Sequence, residues 1–169
     1  MGDKMENRIY LKKFLSEDDF QYFYKLVSNE KVMALDSGRP FTLEEAKNYF
    51  RYLLKNNERH EDFGNFKVFE SAENIFIGLG ALVLNDDFTE AEIEYSLLPE
   101  YWAKGYGSEI VEELLKKTEG IKSLQQVTAT IDPNNTASKK ILIKNGFVSQ
   151  EIFKIDDGSL AESFSKKIV

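Results

Sequence analysis

Pro99-Glu100-Tyr101-Trp102-Ala103-Lys104-Gly105-Tyr106-Gly107-Ser108-Glu109 lies between two stretches of different periodicity. On its N-terminal side Ile93, Tyr95 and Leu97 alternate with Glu92, Glu94 and Ser96, which predicts a strand with unlike faces. On its C-terminal side Ile110, Val111, Leu114 and Leu115 recur at helical spacing, with Glu112, Glu113, Lys116 and Lys117 on the remaining surface. The order is strand, glycine loop, helix. Gly105 and Gly107 are expected to permit positive φ and to let a ligand approach the main chain with no Cβ in the way. The loop amides then stand at a helix N-terminus, where unpaired donors and the macrodipole favour an anion. A phosphate group is the natural guest.

Two common phosphate loops do not fit. A nucleotide-triphosphate loop needs Lys followed by Ser or Thr after its last glycine, and Gly107 is followed by Ser108 and Glu109. A dinucleotide fingerprint needs a third glycine three places on, where Ile110 stands. Downstream, a strand at 127–131 runs into Asp132-Pro133-Asn134-Asn135-Thr136-Ala137-Ser138. A short helix then ends at Asn145-Gly146-Phe147, where Gly146 suits a left-handed C′ position.

The chain has 169 residues, which predicts one domain over 1–169 with a sizeable core. Hydrophobic residues make up 42% and aromatics 13%, which excludes wholesale disorder, and no apolar run approaches the roughly 18 to 20 residues of a membrane span. The N-terminus has no apolar signal region, so a soluble cytoplasmic protein is expected. With no cysteine there is no disulfide, thiolate metal site or Cys nucleophile, and no metal is expected. The one histidine, His60, sits in a polar run and reads as a solvated loop residue. A net charge of −7 argues against nucleic acid and weakly favours a cationic partner such as an amine.

Residues 8–14 alternate as a first strand, and Ser16 before Glu17, Asp18 and Asp19 caps a helix running to about Ser28. Thr42 and Glu45 form a capping box for a helix over 43–55, whose Ala46, Tyr49, Phe50, Leu53 and Leu54 suit the core. Its aromatics would also suit a substrate cleft. Strands at 66–70 and 75–84 form a hairpin, with Gly78 and Gly80 marking close approach or a bulge. Strands at 91–98 and 125–131, a helix at 135–144 and a hairpin of 150–155 with 160–168 complete a mixed α/β (α+β) chain with a largely antiparallel sheet.

The loop resembles the pyrophosphate loop of the GNAT (Gcn5-related N-acetyltransferase) superfamily, Gln or Arg-x-x-Gly-x-Gly or Ala, with Trp102 where Gln or Arg is commonest. The run Glu100-Tyr101-Trp102-Ala103-Lys104-Gly105-Tyr106 looks like the branch that includes the ribosomal-protein N-terminal acetyltransferases. The stretch from Asn135 to Phe147 resembles the family's second signature, Asn-x-x-Ser, a basic helix and Lys-x-Gly-Phe. Together the resemblance covers about 10–164.

The resemblance implies a twisted sheet of about seven strands, splayed between the fourth and fifth, with about four helices. It implies an N-acetyltransferase that moves an acetyl group from acetyl-CoA directly to a primary amine: a peptide N-terminus, a polyamine or a small-molecule amine. The alternative is a catalytically silent CoA-binding sensor on the same fold. A homodimer is compatible with either.

For the donor, the resemblance points to amides from Lys104 through Gly105, Tyr106 and Gly107 to Ser108 for the pyrophosphate. Trp102 lies beside them, the main chain of Leu97 and Leu98 would hold the pantetheine, and Asn135 would contact the cofactor arm. Asn135 equally suits an N-cap. Glu92 and Glu94 share one strand face where family members often keep a catalytic carboxylate; Glu92 matches the branch's Ala-Glu-Ile run, and Glu94 stands where Gly is common. A wet strand face would carry the same pair. Leu142 occupies the position of the family's usual Tyr acid, which leaves Ser138 as the nearest hydroxyl for the leaving thiolate.

Overall fold

The computed structural model describes residues 7–168. Seven strands, β1 (Ile9–Lys13), β2 (Gly64–Glu70), β3 (Ile75–Leu84), β4 (Glu90–Leu97), β5 (Gln126–Ile131), β6 (Val148–Lys154) and β7 (Leu160–Lys167), form one sheet in the order β1-β2-β3-β4-β5-β7-β6. The helices are α1 (Phe20–Val27), α2 (Glu30–Met33), α3 (Leu43–Asn57), α4 (Tyr106–Thr118) and α5 (Thr136–Lys144). Among the described residues only β4 and β5 pair in parallel, through Glu90, Ala91 and Glu92 against Gln126, Val127 and Thr128. Beyond Glu92 the two strands part and open a gap in the middle of the sheet.

Register decides what faces that gap. The Leu98 N–H donates to the Ile77 carbonyl at 2.9 Å and Leu97 lies opposite Gly78, so residues 92, 94 and 96 exchange hydrogen bonds with β3. The main-chain groups of Ile93, Tyr95 and Leu97 therefore turn toward the gap. Side chains alternate in the other sense. Ala91, Ile93 and Leu97 are buried with Ile110, Val111 and Leu114 of α4 and Leu142 of α5. On the opposite face a second core of Phe14, Phe23, Met33, Ala46, Phe50 and Leu53 joins α1, α2 and α3.

The described residues hold five helices, in line with the expectation of about four, the addition being the short α2, where the Asn29 side chain accepts from the Lys31 and Val32 amides. Four residues are too few to show a period. Ser16 opens a 3₁₀ turn, Glu17–Asp19, before α1 rather than α1 itself. The bulge expected near Gly78 is present: Val68 pairs with Gly78 and Phe69 with Phe76, leaving Ile77 as the extra residue. His60 is less solvated than expected, with its ring 4.8 Å from that of Phe63 and its Nδ1 accepting from the Asp62 amide. No helix among the described residues is long and apolar enough to cross a membrane.

The capping box forms as read. Thr42 Oγ1 accepts from the Glu45 amide at 3.1 Å, and Glu45 Oε1 accepts from the Thr42 amide at 2.8 Å. Arg39 forks onto the same carboxylate and, with Thr42, holds it down to about 2. Thr42→Ala should cost about 1 kcal/mol, read as a lower urea midpoint at unchanged slope.

Candidate active site

After β4 a 3₁₀ turn, Pro99–Tyr101, carries the chain sideways, and Ala103 (φ 60°) and Gly105 (φ 88°) both adopt the left-handed region. Glycine takes that conformation freely, whereas Ala103 carries strain. No side chain caps α4, and its first paired amide in the loop is that of Glu109, which donates to the Gly105 carbonyl. The amides from Lys104 to Ser108 have no hydrogen-bond acceptor among the described residues. Five donors at a helix N-terminus are thus bare and fit an anion.

Gly107 differs from expectation. It lies inside α4 with an ordinary φ, and a Cβ there would sit 2.9 Å from Ile141 Cδ1 and 3.2 Å from Tyr95 Cε2. Its missing side chain lets α4 settle on β4 and α5; of the two glycines only Gly105 supplies a positive φ. Trp102 folds back so that its Nε1–H donates to the Leu97 carbonyl at 2.8 Å.

The far wall is the start of α5. Asn135 Oδ1 accepts from the Ser138 amide at 3.1 Å, the N-cap role. Ser138 is buried, and its Oγ lies 2.7 Å from the Tyr95 hydroxyl. Burial raises the Tyr95 phenol, and the bond to Ser138 pulls it the other way.

On the α3 side of β4 sit three carboxylates. Burial, reinforced by the charges of Glu92 and Asp36, pushes Glu94 up to about 7. Glu94 is solvent-exposed on that face of β4, so its shift reflects the protein mass and the like charges gathered around the strand rather than enclosure. Burial also raises Glu92, opposed by the nearby Thr130 hydroxyl, and raises Asp36. Tyr49, about half exposed, borders the same space: burial and then the charge of Glu94 raise its phenol.

The model of the acetyltransferase (GNAT) domain family matches residues 8–148. The chain belongs to the GNAT acetyltransferase family. It is similar to the uncharacterized N-acetyltransferase YnaD of Bacillus subtilis, at 28% identity over 149 residues, 87% of this chain and 83% of that protein. The uncharacterized N-acetyltransferase YoaA of the same organism is 25% identical over 141 residues, 82% and 72% of the two chains. Among solved structures, a GNAT-family acetyltransferase from Bacillus anthracis superposes with TM-score 0.79 at 24% identity, covering 95% of each chain. The spermidine N-acetyltransferase of Vibrio cholerae, in complex with CoA and spermine, gives 0.77 at 18% over 96% of each. At such identities these two structures report a shared fold.

This GNAT protein is an N-acetyltransferase, and the candidate site residues fall on two faces of β4. Glu92 and Glu94 lie on one. On the other, Gly107, Ser138 and the Asn135 cap converge on Tyr95. Leu142 is fully buried in the core, so that position offers no acid. Sequence reading missed Asp36, which sat in a glycine-proline break, and Tyr95, which counted as one of the apolar residues of β4. A phenol among Ile93 and Leu97 and level with a glycine-rich loop was the available signal for Tyr95.

Proposed function

We propose that this GNAT enzyme moves an acetyl group from acetyl-CoA directly to an aliphatic primary amine that arrives as a cation, with Glu94 as general base. What supports this reading is the grouping of Glu94 with Glu92 and Asp36 beside Tyr49 on one face of β4, whose like charges help push the Glu94 carboxyl up to about 7. Such a group is ionised often enough at neutral pH to take a proton and basic enough to hold it. The need is greatest for an amine of pKa about 10.4, of which roughly one molecule in a few thousand is neutral at pH 7. An α-amine near 7.7 to 8.0 needs less help. The Vibrio cholerae neighbour is a spermidine N-acetyltransferase, which is consistent with this preference. The run from Glu100 to Tyr106 supports placing the chain in the ribosomal-protein acetyltransferase-like branch.

The donor diphosphate would sit on the amides of Lys104, Gly105, Tyr106, Gly107 and Ser108, each charge-assisted bond contributing about 1.5 to 3 kcal/mol. The pantetheine arm would run along the gap edge of β4. There the Leu97 carbonyl is engaged by Trp102 and the Leu98 amide by Ile77, so of these two residues it is the Leu97 N–H that would be free to donate to the arm. Asn135 would approach the arm from α5 while capping its helix. Glu94 takes one proton from the ammonium, the neutral amine nitrogen bonds to the thioester carbonyl carbon, the nitrogen gives its second proton to water, and the C–S bond breaks with its electron pair on sulfur. Ser138 then gives the thiolate a proton and regains one from the Tyr95 hydroxyl, which is reprotonated from water. Glu92 raises the proton affinity of Glu94 through its charge.

Thiol release from acetyl-CoA should be fastest with polyamines in a panel that also holds amino acids, free N-terminal peptides and antibiotic amines. The proposal falls if peptides outpace polyamines at pH 7.5, or if no amine raises release above background. Tyr95→Phe and Ser138→Ala should each lower kcat about tenfold, and the double variant little further, because the two hydroxyls act as one relay. Only modest help is needed by a thiol whose pKa resembles the 8.5 of cysteine.

A further inference from the structure

Arg8, the residue before β1, reaches the glycine loop from the other end of the sequence. Its Nη2 donates to the Lys104 carbonyl at 2.9 Å, and its Nε donates to Glu109 Oε2 at 2.6 Å. Nη2 also pairs with the same carboxylate oxygen. The guanidinium lies 4.1 Å over the Tyr106 ring centroid, a cation–π contact. Three residues of the loop and of the first turn of α4 thus converge on one side chain.

Two consequences follow for an anion at the loop. In a trans peptide the carbonyl and the next N–H point in opposite directions. Drawing the Lys104 carbonyl toward Arg8 therefore aims the Gly105 N–H away from Arg8, on the side left open by the bare amides. Glu109 places a carboxylate in the first turn of α4, where its charge opposes a bound diphosphate. Pairing with Arg8 offsets that charge.

We propose that Arg8 is a positioning residue for donor binding, which fixes the 104–105 peptide and neutralises Glu109 so that the loop accepts a diphosphate. This rests on the reading that the loop holds the diphosphate of CoA. Arg8 touches no substrate in this scheme and acts through the main chain and Glu109.

Arg8→Gln should raise the KM for acetyl-CoA and the calorimetric Kd for CoA about tenfold, a half-exposed ion pair giving less than a buried one. The kcat at saturating donor and the KM for the amine should stay within about twofold, as for an interaction of uniform binding. Arg8→Lys, which keeps the charge but not the fork, should fall between wild type and Arg8→Gln. With S-acetylpantetheine, which lacks the diphosphate, kcat/KM should be the same in Arg8→Gln and wild type. An equal loss with both donors, or unchanged CoA affinity in Arg8→Gln beside a binding wild type, would overturn the role of Arg8. Failure of the wild type itself to bind CoA would overturn the loop reading beneath it.

Discussion

Glu94→Gln is expected to lower kcat/KM for a polyamine acceptor by about 10² to 10³ at pH 7.5, within the roughly 10² to 10⁴ typical of general acid–base catalysis. The pH profile carries the sign. In the wild type, activity should rise with pH as Glu94 ionises, with an inflection near 7 if Glu94 is the base, as proposed. An ammonium substrate keeps its own proton to about 10.4, so the wild-type rate then levels off. In Glu94→Gln only the neutral amine reacts, and the rate should climb tenfold per pH unit through 7 with no inflection there. The deficit should narrow toward pH 10. A uniform deficit at every pH would point to lost binding instead of lost proton transfer.

The same substitution has an opposite signature in stability. A carboxyl whose folded pKa is raised holds its proton longer folded than unfolded, so stability is lost as pH rises from the unfolded value near 4.3 toward 7. Glu94→Gln removes that penalty. Its Tm should match the wild type below pH 4 and exceed it above pH 7. An inactive variant with a higher Tm at pH 8 would separate chemistry from misfolding.

Gly105→Val is expected to weaken CoA binding by about 10²-fold. A left-handed non-glycine residue costs roughly 1 to 2 kcal/mol, and a shifted loop also forfeits at least one charge-assisted bond of about 1.5 to 3 kcal/mol. A side chain at this position would also meet Arg8 Nη2 at 3.2 Å. The loss should appear in Kd and in donor KM, with kcat recovered at high acetyl-CoA. Gly107→Val should act differently: its side chain would press into Ile141 and Tyr95, so its first effect is a lower Tm.

The strand, loop and helix around Gly105 were legible because their information is local: alternation before, helical spacing after, and a glycine with no side chain between. The capping box at Thr42 was legible for the same reason. Which glycine needed a positive φ was not, because Gly107 is set by Tyr95 and Ile141, one from the preceding strand and one from a helix more than thirty residues on. Glu92 and Glu94 were placed by strand alternation. The elevation of Glu94 depends on burial and on Asp36, nearly sixty residues earlier, and no local pattern reports that proximity. Arg8 was hidden in the same way, since its partners at Lys104 and Glu109 lie about a hundred residues on. The α2 turn escaped because one turn has no period.

The most direct test is a ¹H–¹⁵N titration of the labelled protein with CoA. The amides of Lys104, Gly105, Tyr106, Gly107 and Ser108 should show the largest shifts, moving downfield as they begin to donate to the diphosphate. CoA that binds while these five amides stay in place, and others elsewhere on the sheet move instead, would contradict the site described for the donor.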